Sequence, residues 1–182
     1  MGSSLKTYDI VYADPPWPYY GDPNKMAAAG KHYNLMSMDE IAAVDVRRLM
    51  NSKAALFLWA TGPRLPDAIE AIRRWGLHYR GIAWVWVKTR KDGKIINGQG
   101  VPPTFTKPTT ELLLAATTNK TGRPFPILTS AMPQVVLEPR LRHSEKPHVF
   151  YSLIEELCGD RTRIELWARN RREGWDAWGD EI

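Results

Sequence analysis

The residues Asp14-Pro15-Pro16-Trp17 place a carboxylate, two prolines and an aromatic ring directly after a short apolar run, residues 8–13. The length and composition of that run predict a buried β-strand. Proline fixes φ and has no backbone N–H, so the turn presents carbonyl groups that only accept hydrogen bonds, as an ionised Asp14 does. Rigid acceptors beside a flat indole suit a planar group with an exocyclic amine, such as adenine, whose N6 donates two hydrogen bonds.

The length of the chain indicates its number of domains, and its charge indicates the kind of partner that it binds. The 182 residues are enough for one domain with a sizeable core, so a single domain over residues 1–182 is predicted. The net charge of +5 and the pI of about 9.4 favour an anionic partner such as nucleic acid. A soluble protein that happens to be basic is the alternative.

The cysteine and histidine content argues against several chemistries. A single cysteine, Cys158, excludes an internal disulfide and a cysteine-based zinc cluster, and the four histidines lack metal-ligand spacing with carboxylates. No metal site is therefore predicted. A reducing cytoplasm fits this cysteine usage. The chain shows no secretory segment and no apolar run long enough to cross a bilayer, so we expect a cytoplasmic protein without a membrane partner.

Strand-like and helix-like segments alternate along the chain. Apolar runs predict strands at residues 8–13, 54–60, 82–87, 110–117 and 164–168, and amphipathic or capped segments predict helices at residues 37–50, 66–75 and 149–157. Continuous apolar strands between helices indicate a largely parallel α/β sheet covered on both faces. Ligands of such sheets bind beyond the carboxyl ends of strands, where Asp14 and Arg169 fall.

Two long stretches, residues 17–34 and 119–147, show no strand or helix pattern. Their aromatic and basic side chains favour binding loops. The candidate phosphate contacts are Lys25, Lys31, Lys107, Arg123, Arg140 and Arg142, and ordinary surface charge is the alternative for each of them taken singly.

Several blocks of the sequence resemble those of a known family. The Asp14-Pro-Pro-Trp17 sequence after a buried strand looks like motif IV of the amino-group methyltransferases. Further blocks resemble the family of the eukaryotic mRNA adenosine-N6 methyltransferase catalytic subunit and its small bacterial and phage relatives. These blocks are HYNLMSMDE (32–40), LFLWATG (56–62), WVWVK (84–88), ELLL (111–114), HSEKP (143–147), RIELWAR (163–169) and WDAWG (175–179).

The resemblance implies a Rossmann-like methyltransferase fold in which the circularly permuted order puts the catalytic motif before the cofactor-binding end. It also implies S-adenosylmethionine as the methyl donor. Matching residues give the expected catalytic motif Asp14, Pro15, Pro16 and Trp17, in which Asp14 and the Pro15 carbonyl hold the amine. The expected substrate-binding residues are Tyr19, Tyr33 and Ser144. The expected cofactor-binding residues are Asp14, Lys146, Arg169, Asn170, Asp180 and Glu181.

Two departures from the family pattern concern the cofactor. Only thirteen residues precede Asp14, whereas an upstream segment helps to hold the cofactor adenine in the eukaryotic enzyme. Gly179-Asp180 stands where the family often has Gly-Asn, which replaces an amide with a charge.

The sequence thus predicts methyl transfer from S-adenosylmethionine to the N6 amine of adenine in DNA, the substrate implied by short bacterial and phage members. RNA methylation is the runner-up. A catalytically silent nucleic-acid-binding subunit of a heterodimer is the third hypothesis. Both a homodimer and a heterodimer remain open.

Overall fold

One seven-stranded sheet with helices on both faces organises the molecule. The computed structural model describes residues 6–18, 35–98, 106–141, 145–180 and 182. The strands are β1 (Tyr8–Ala13), β2 (Met50–Thr61), β3 (His78–Thr89), β4 (Thr110–Thr117), β5 (Val135–Pro139), β6 (Arg163–Leu166) and β7 (Asp176–Trp178). The α-helices are α1 (Met38–Ala43), α2 (Leu65–Arg74) and α3 (Val149–Cys158), and two short 3₁₀ helices cover Val46–Leu49 and Gly62–Arg64.

The strand order is β5-β3-β4-β2-β1-β6-β7. The pairs β1–β2, β1–β6, β6–β7 and β3–β5 are parallel, and β4 is antiparallel to both of its neighbours. The sheet is therefore mostly parallel, as predicted, with one reversed strand. The carboxyl ends of the other six strands meet the amino end of β4 at one side of the sheet, which we call the carboxyl edge. The opposite side is the amino edge.

Side chains of the central strands alternate between two cores, which confirms that the sheet is covered on both faces. In the first core, Leu58 of β2 packs with Ile72 of α2. In the second core, Tyr12 of β1 and Trp59 of β2 pack with Phe150 of α3. All of these side chains are fully buried. This double packing fixes the ends of β1 and β2, where the predicted catalytic motif begins.

The helix predicted at residues 37–50 is wrong in its length. Its start is right, because the Ser37 N–H donates to the Glu40 carboxylate at 2.7 Å and the Glu40 N–H donates to the Ser37 hydroxyl at 3.2 Å. The helix ends at Ala43, since Val44 is extended, and the Asp45 carboxylate accepts from the Arg48 N–H to begin a separate 3₁₀ turn.

Two strands were missed in the sequence. Residues 119–147, expected to be a loop, contain β5, which pairs in parallel with the end of β3. The three-residue β7 pairs in parallel with β6. The strand predicted at residues 164–168 ends at Leu166, because Trp167 leaves the extended region of φ with a value of +58°. Among the described residues, no helix is long and apolar enough to span a membrane.

Candidate active site

Asp14 lies at the carboxyl edge, between the ends of β2 and β6. It directly follows β1, and its N–H donates to the Leu166 carbonyl at 3.4 Å. The two prolines then turn the chain, and the Trp17 N–H donates to the Pro15 carbonyl at 2.8 Å. A carbonyl oxygen has two lone pairs, so the Pro15 oxygen retains one acceptor site. The motif is a rigid turn that presents acceptors, as its sequence predicted.

Trp17 is anchored more firmly than a free stacking surface would be. Its half-buried indole packs against the first core, and Nε1 donates to the Trp59 carbonyl at 2.9 Å. The Pro16 carbonyl accepts from the Met36 N–H at 3.0 Å. These bonds join the turn to β2 and to the start of α1, so the indole is held in one orientation.

A chain of alternating charges supports Asp14 from the side of the second core. The Lys146 ammonium lies 2.8 Å from Asp14 Oδ2 and 3.3 Å from Glu111 Oε2, and Lys88 lies 2.6 Å from Glu111 Oε1. The side chains of Lys146, Glu111 and Asp14 are only 11%, 11% and 18% exposed. Two cations thus balance two carboxylates at a nearly buried position. The Lys146 ammonium also lies 5.5 Å from the centre of the Trp59 ring.

The pKa values follow from burial and from these neighbours. Burial raises the pKa of Asp14 above its ordinary value. The cations of Lys146 and Arg169 lower this pKa, but they offset only part of the rise. Burial would lower the pKa of Lys146, but the two carboxylates raise it above its ordinary value. Burial would also raise the pKa of Glu111, but Lys146 and Lys88 bring it below its ordinary value. The Lys146 charge, 2.8 Å from Asp14, thus opposes the effect of burial and favours the ionised form of that carboxyl.

Glu111 and Lys88 were given no role from the sequence. They belong to the blocks ELLL and WVWVK, and each is a charged residue next to an apolar run, at the end of its strand that lies at the carboxyl edge. A charge inside a buried strand is costly unless it is paired, and that is the signal that could have revealed them. Lys146 was predicted to hold the cofactor; the structure places its ammonium on Asp14.

A third carboxylate is buried two residues back along the sheet from Asp14. Glu165 of β6 stands beside Tyr12 in the parallel register and is 8% exposed. The Tyr151 hydroxyl donates to its carboxylate, with both oxygens at 2.9 Å, and the Arg172 guanidinium lies 4.6 Å from the centre of the Tyr151 ring. Burial is the main cause that raises the pKa of Glu165 to about 7. The hydrogen bond from Tyr151 lowers this pKa, and the Asp14 charge raises it.

This shift has a testable consequence for stability. Because the folded protein holds the Glu165 proton more tightly than the unfolded chain, Glu165 stabilises the fold at low pH and loses this contribution as pH rises through about 7. Glu165→Gln stays neutral and still accepts from Tyr151. We expect its free energy of unfolding, relative to the parent, to rise by roughly 3 kcal/mol between pH 4 and pH 8. Urea denaturation across this range measures the difference, and a constant difference would contradict the assigned environment.

The predicted cofactor residues flank the ends of β6 and β7. Arg169 follows β6 and is half-buried, and it lies near enough to Asp14 to lower the pKa of that carboxyl. Asn170 and Asp180 are exposed at the same edge. Trp167, which falls within the strand predicted at residues 164–168, lies just beyond β6 and is half-buried against the first core. The structure therefore brings Asp14, Arg169 and Asp180 to the ends of three adjacent parallel strands.

Several sequence-predicted residues lie outside the described residues. They are Tyr19, Tyr33, Ser144 and Glu181, together with the candidate phosphate contacts Lys25, Lys31 and Arg142. Of the other candidates, Lys107 precedes β4 and Arg140 follows β5, so both lie at the carboxyl edge. Arg123 follows β4 and lies toward the amino edge, on a different surface. Within the part of the chain that the structure describes, no group of three or more His, Cys, Asp or Glu side chains is arranged to hold a metal ion.

Comparison with known proteins decides the family. The model of the MT-A70 family matches residues 8–181. The chain belongs to the MT-A70 family. This confirms the resemblance inferred from the motif blocks. MT-A70 proteins are S-adenosylmethionine-dependent methyltransferases specific for the N6 amine of adenine, and the mostly parallel sheet agrees with their fold.

Relatives within and around the MT-A70 family differ in length. The chain is 31% identical to the Type II methyltransferase M.MunI of Mycoplasma sp., covering 97% of this chain and 78% of that protein. It is 27% identical to the human N(6)-adenine-specific methyltransferase METTL4, and the match covers 97% of this chain and 38% of that protein. It is 28% identical to the N6-methyladenosine RNA methyltransferase MTA1 of Pyricularia oryzae, and the match covers 98% of this chain and 48% of that protein. The chain spans less than half of the last two proteins.

Proposed function

We propose that this chain transfers the methyl group of S-adenosylmethionine to the N6 amine of adenine in DNA, and that Asp14 orients that amine. The observation that carries the proposal is the nearly buried Asp14 carboxylate at the carboxyl edge, held by Lys146 at 2.8 Å beside the rigid Pro15–Trp17 turn.

The chemistry explains why acceptors are needed. The lone pair of the adenine amine is delocalised into the ring, so the nitrogen is a poor nucleophile. Two acceptors placed around its N–H groups favour a pyramidal nitrogen whose lone pair points at the methyl group. We assign these acceptor positions to the Asp14 carboxylate and the Pro15 carbonyl. Their contribution is orientation and electrostatics. When the nitrogen takes the methyl group, the cofactor leaves as a neutral thioether and the nitrogen becomes a cationic ammonium, which is acidic enough to lose its proton readily to solvent.

Lys146 and Glu111 are proposed as positioning residues for Asp14. Lys146 contacts Oδ2, so we assign Oδ1 to the amine. Glu111, which is itself paired with Lys88, contacts the Lys146 ammonium through its other carboxylate oxygen. A role of Lys146 in cofactor binding stays a prediction.

The donor set at the carboxyl edge fits the cofactor. When bound, S-adenosylmethionine supplies a methyl group activated on a sulfonium. We propose that Arg169 binds its carboxylate or ribose, that Asp180 accepts from ribose hydroxyls, and that Asp14 lies near the positive sulfur. The exposed Asn170 is a further candidate on the same surface.

DNA is proposed as the substrate polymer, with RNA as the second candidate. Of the three relatives compared, the Type II methyltransferase is the one of which this chain covers more than two thirds. RNA is kept as the second candidate because the chain is also similar to MTA1, which is named as an RNA methyltransferase. In either polymer the base must leave its stack, which costs a few kcal/mol and least for an unpaired base. Lys107 and Arg140, at the carboxyl edge, are candidate phosphate contacts.

A direct assay separates the polymers. We expect methyl-labelled S-adenosylmethionine to label DNA oligonucleotides more than RNA of matched sequence, and single strands faster than duplexes. The rate should fall as salt rises, because phosphate contacts release counterions. Label in RNA alone would show that the DNA assignment is wrong while the adenine chemistry stands. Label in neither, with cofactor binding intact, would favour the silent-subunit hypothesis.

A further inference from the structure

Three segments of the chain meet at the amino edge of the sheet, on the side away from Asp14. They are residues 46–54, which lead into and begin β2, residues 75–83, which lead into and begin β3, and residues 117–127, which end and follow β4. The three segments contain six lysine and arginine residues and no aspartate or glutamate. The net charge of the whole chain is +5, so these segments hold more than its entire excess of positive charge.

Hydrogen bonds hold the three segments together as one surface. The Thr118 hydroxyl donates to the Ser52 carbonyl at 2.9 Å, which joins the turn after β4 to the start of β2. The Arg80 guanidinium donates to the Thr117 hydroxyl at 2.8 Å and to the Asn119 carbonyl at 2.6 Å, which joins β3 to the same turn. The backbone positions from which the charges project are therefore fixed relative to one another.

The cations of this surface face solvent. Lys53, Lys120 and Arg123 are exposed, and among the described residues no carboxylate forms an ion pair with any of the three. Tyr79, which precedes Arg80 on β3, is 40% exposed and adds an aromatic ring. We call these five residues the amino-edge surface. Exposed cations beside an aromatic ring suit a phosphate backbone, whose charges repeat along its length and whose bases can stack.

We propose that the amino-edge surface binds the phosphate backbone of DNA at a distance from the active site. This rests on the proposed function, because the ligand is the same DNA strand that carries the target adenine. Strand β4 crosses the sheet between the two sites, from Glu111 beside Lys146 to Thr117 at the amino edge. These six steps along a strand span about 20 Å. At the stacked spacing of about 3.4 Å per phosphate, the remote contact lies roughly six or more nucleotides from the target adenine.

The length of the oligonucleotide separates this surface from the active site. Fluorescence anisotropy measures the affinity for labelled single-stranded DNA of about 25 nucleotides and of about five, each with a central adenine, and only the longer one reaches the amino edge. Lys53→Gln combined with Lys120→Gln should weaken binding of the long oligonucleotide by roughly five- to thirtyfold at about 0.1 M salt. The slope of log affinity against log salt should fall by about 1.4, the value for two lost phosphate contacts on a single strand. The affinities for the short oligonucleotide and for S-adenosylhomocysteine should not change.

Lys6→Gln combined with Arg73→Gln is the matched control. It removes the same net charge from exposed side chains that already have carboxylate partners, Lys6 with Asp176 and Arg73 with Glu70, and it should change neither affinity nor slope. An equal loss in this control, or equal weakening of the short and long oligonucleotides, would overturn a specific remote contact. Unchanged binding of the long oligonucleotide by the folded surface variant would overturn the proposal altogether. A failure of the proposed function is a separate result, since it would appear as absent methyl transfer with DNA binding intact.

Discussion

Asp14→Asn is expected to slow methyl transfer by on the order of a hundred- to a thousandfold, the usual effect of removing one positioned electrostatic contact. An amide is a weaker acceptor than a carboxylate and can turn its NH2 toward the amine. Asp14→Ala, which leaves no acceptor, should abolish transfer. Single-turnover assays with labelled cofactor measure the chemical step, and cofactor affinity should change only a few-fold.

This prediction holds only for a variant that is still folded. Asp14→Asn also weakens the contact with Lys146, so thermal unfolding must show that the variant is folded at the assay temperature. Lys146 keeps Glu111 as a partner in that variant, 3.3 Å away. Substantial activity in a folded Asp14→Ala variant would rule out the role assigned to Asp14.

Lys146→Met should produce the largest loss of stability among the site variants, about 3–5 kcal/mol, the cost of leaving buried charges without their partner. It removes the cation shared by Asp14 and Glu111, two carboxylates that are mostly buried. Urea denaturation at pH 7 gives the free energy of unfolding. Lys53→Met is the matched control, because Lys53 is exposed, and it should change stability by less than about 0.5 kcal/mol.

A double variant separates the ion pair from general damage. Lys146→Met combined with Asp14→Asn leaves one fewer uncompensated charge, so it should be more stable than Lys146→Met alone. If the single and double variants lost the same stability, or if Lys146→Met behaved like the Lys53 control, the charge chain would not be what holds Asp14.

The sequence predicted those parts of the fold that depend on local pattern. The apolar runs located five strands of the sheet and indicated that both of its faces are covered. The Ser37–Glu40 capping box located the start of α1. The strands β5 and β7 could not be found in this way, because β7 has three residues and β5 ends in a glutamate and a proline. Both are strands because of pairing with β3 and β6, which lie far away in the sequence or across a turn.

The same distinction applies to the candidate site. Asp14 and Arg169 were predictable, since each follows an apolar strand. The contact between Lys146 and Asp14 joins residues 132 positions apart, and no local pattern indicates it. The positive φ of Trp167 was also hidden, because its sequence continues an apolar run and the segment that packs against the next residue follows β7.

Identification of the methylated base tests most directly whether the protein methylates adenine in DNA. The protein is incubated with methyl-labelled S-adenosylmethionine and single-stranded DNA of mixed sequence, and the DNA is digested to nucleosides that are then separated. We expect the label to co-migrate with N6-methyl-2′-deoxyadenosine and to disappear with Asp14→Ala. Label on any other nucleoside, or undiminished label on adenine with Asp14→Ala, would contradict it.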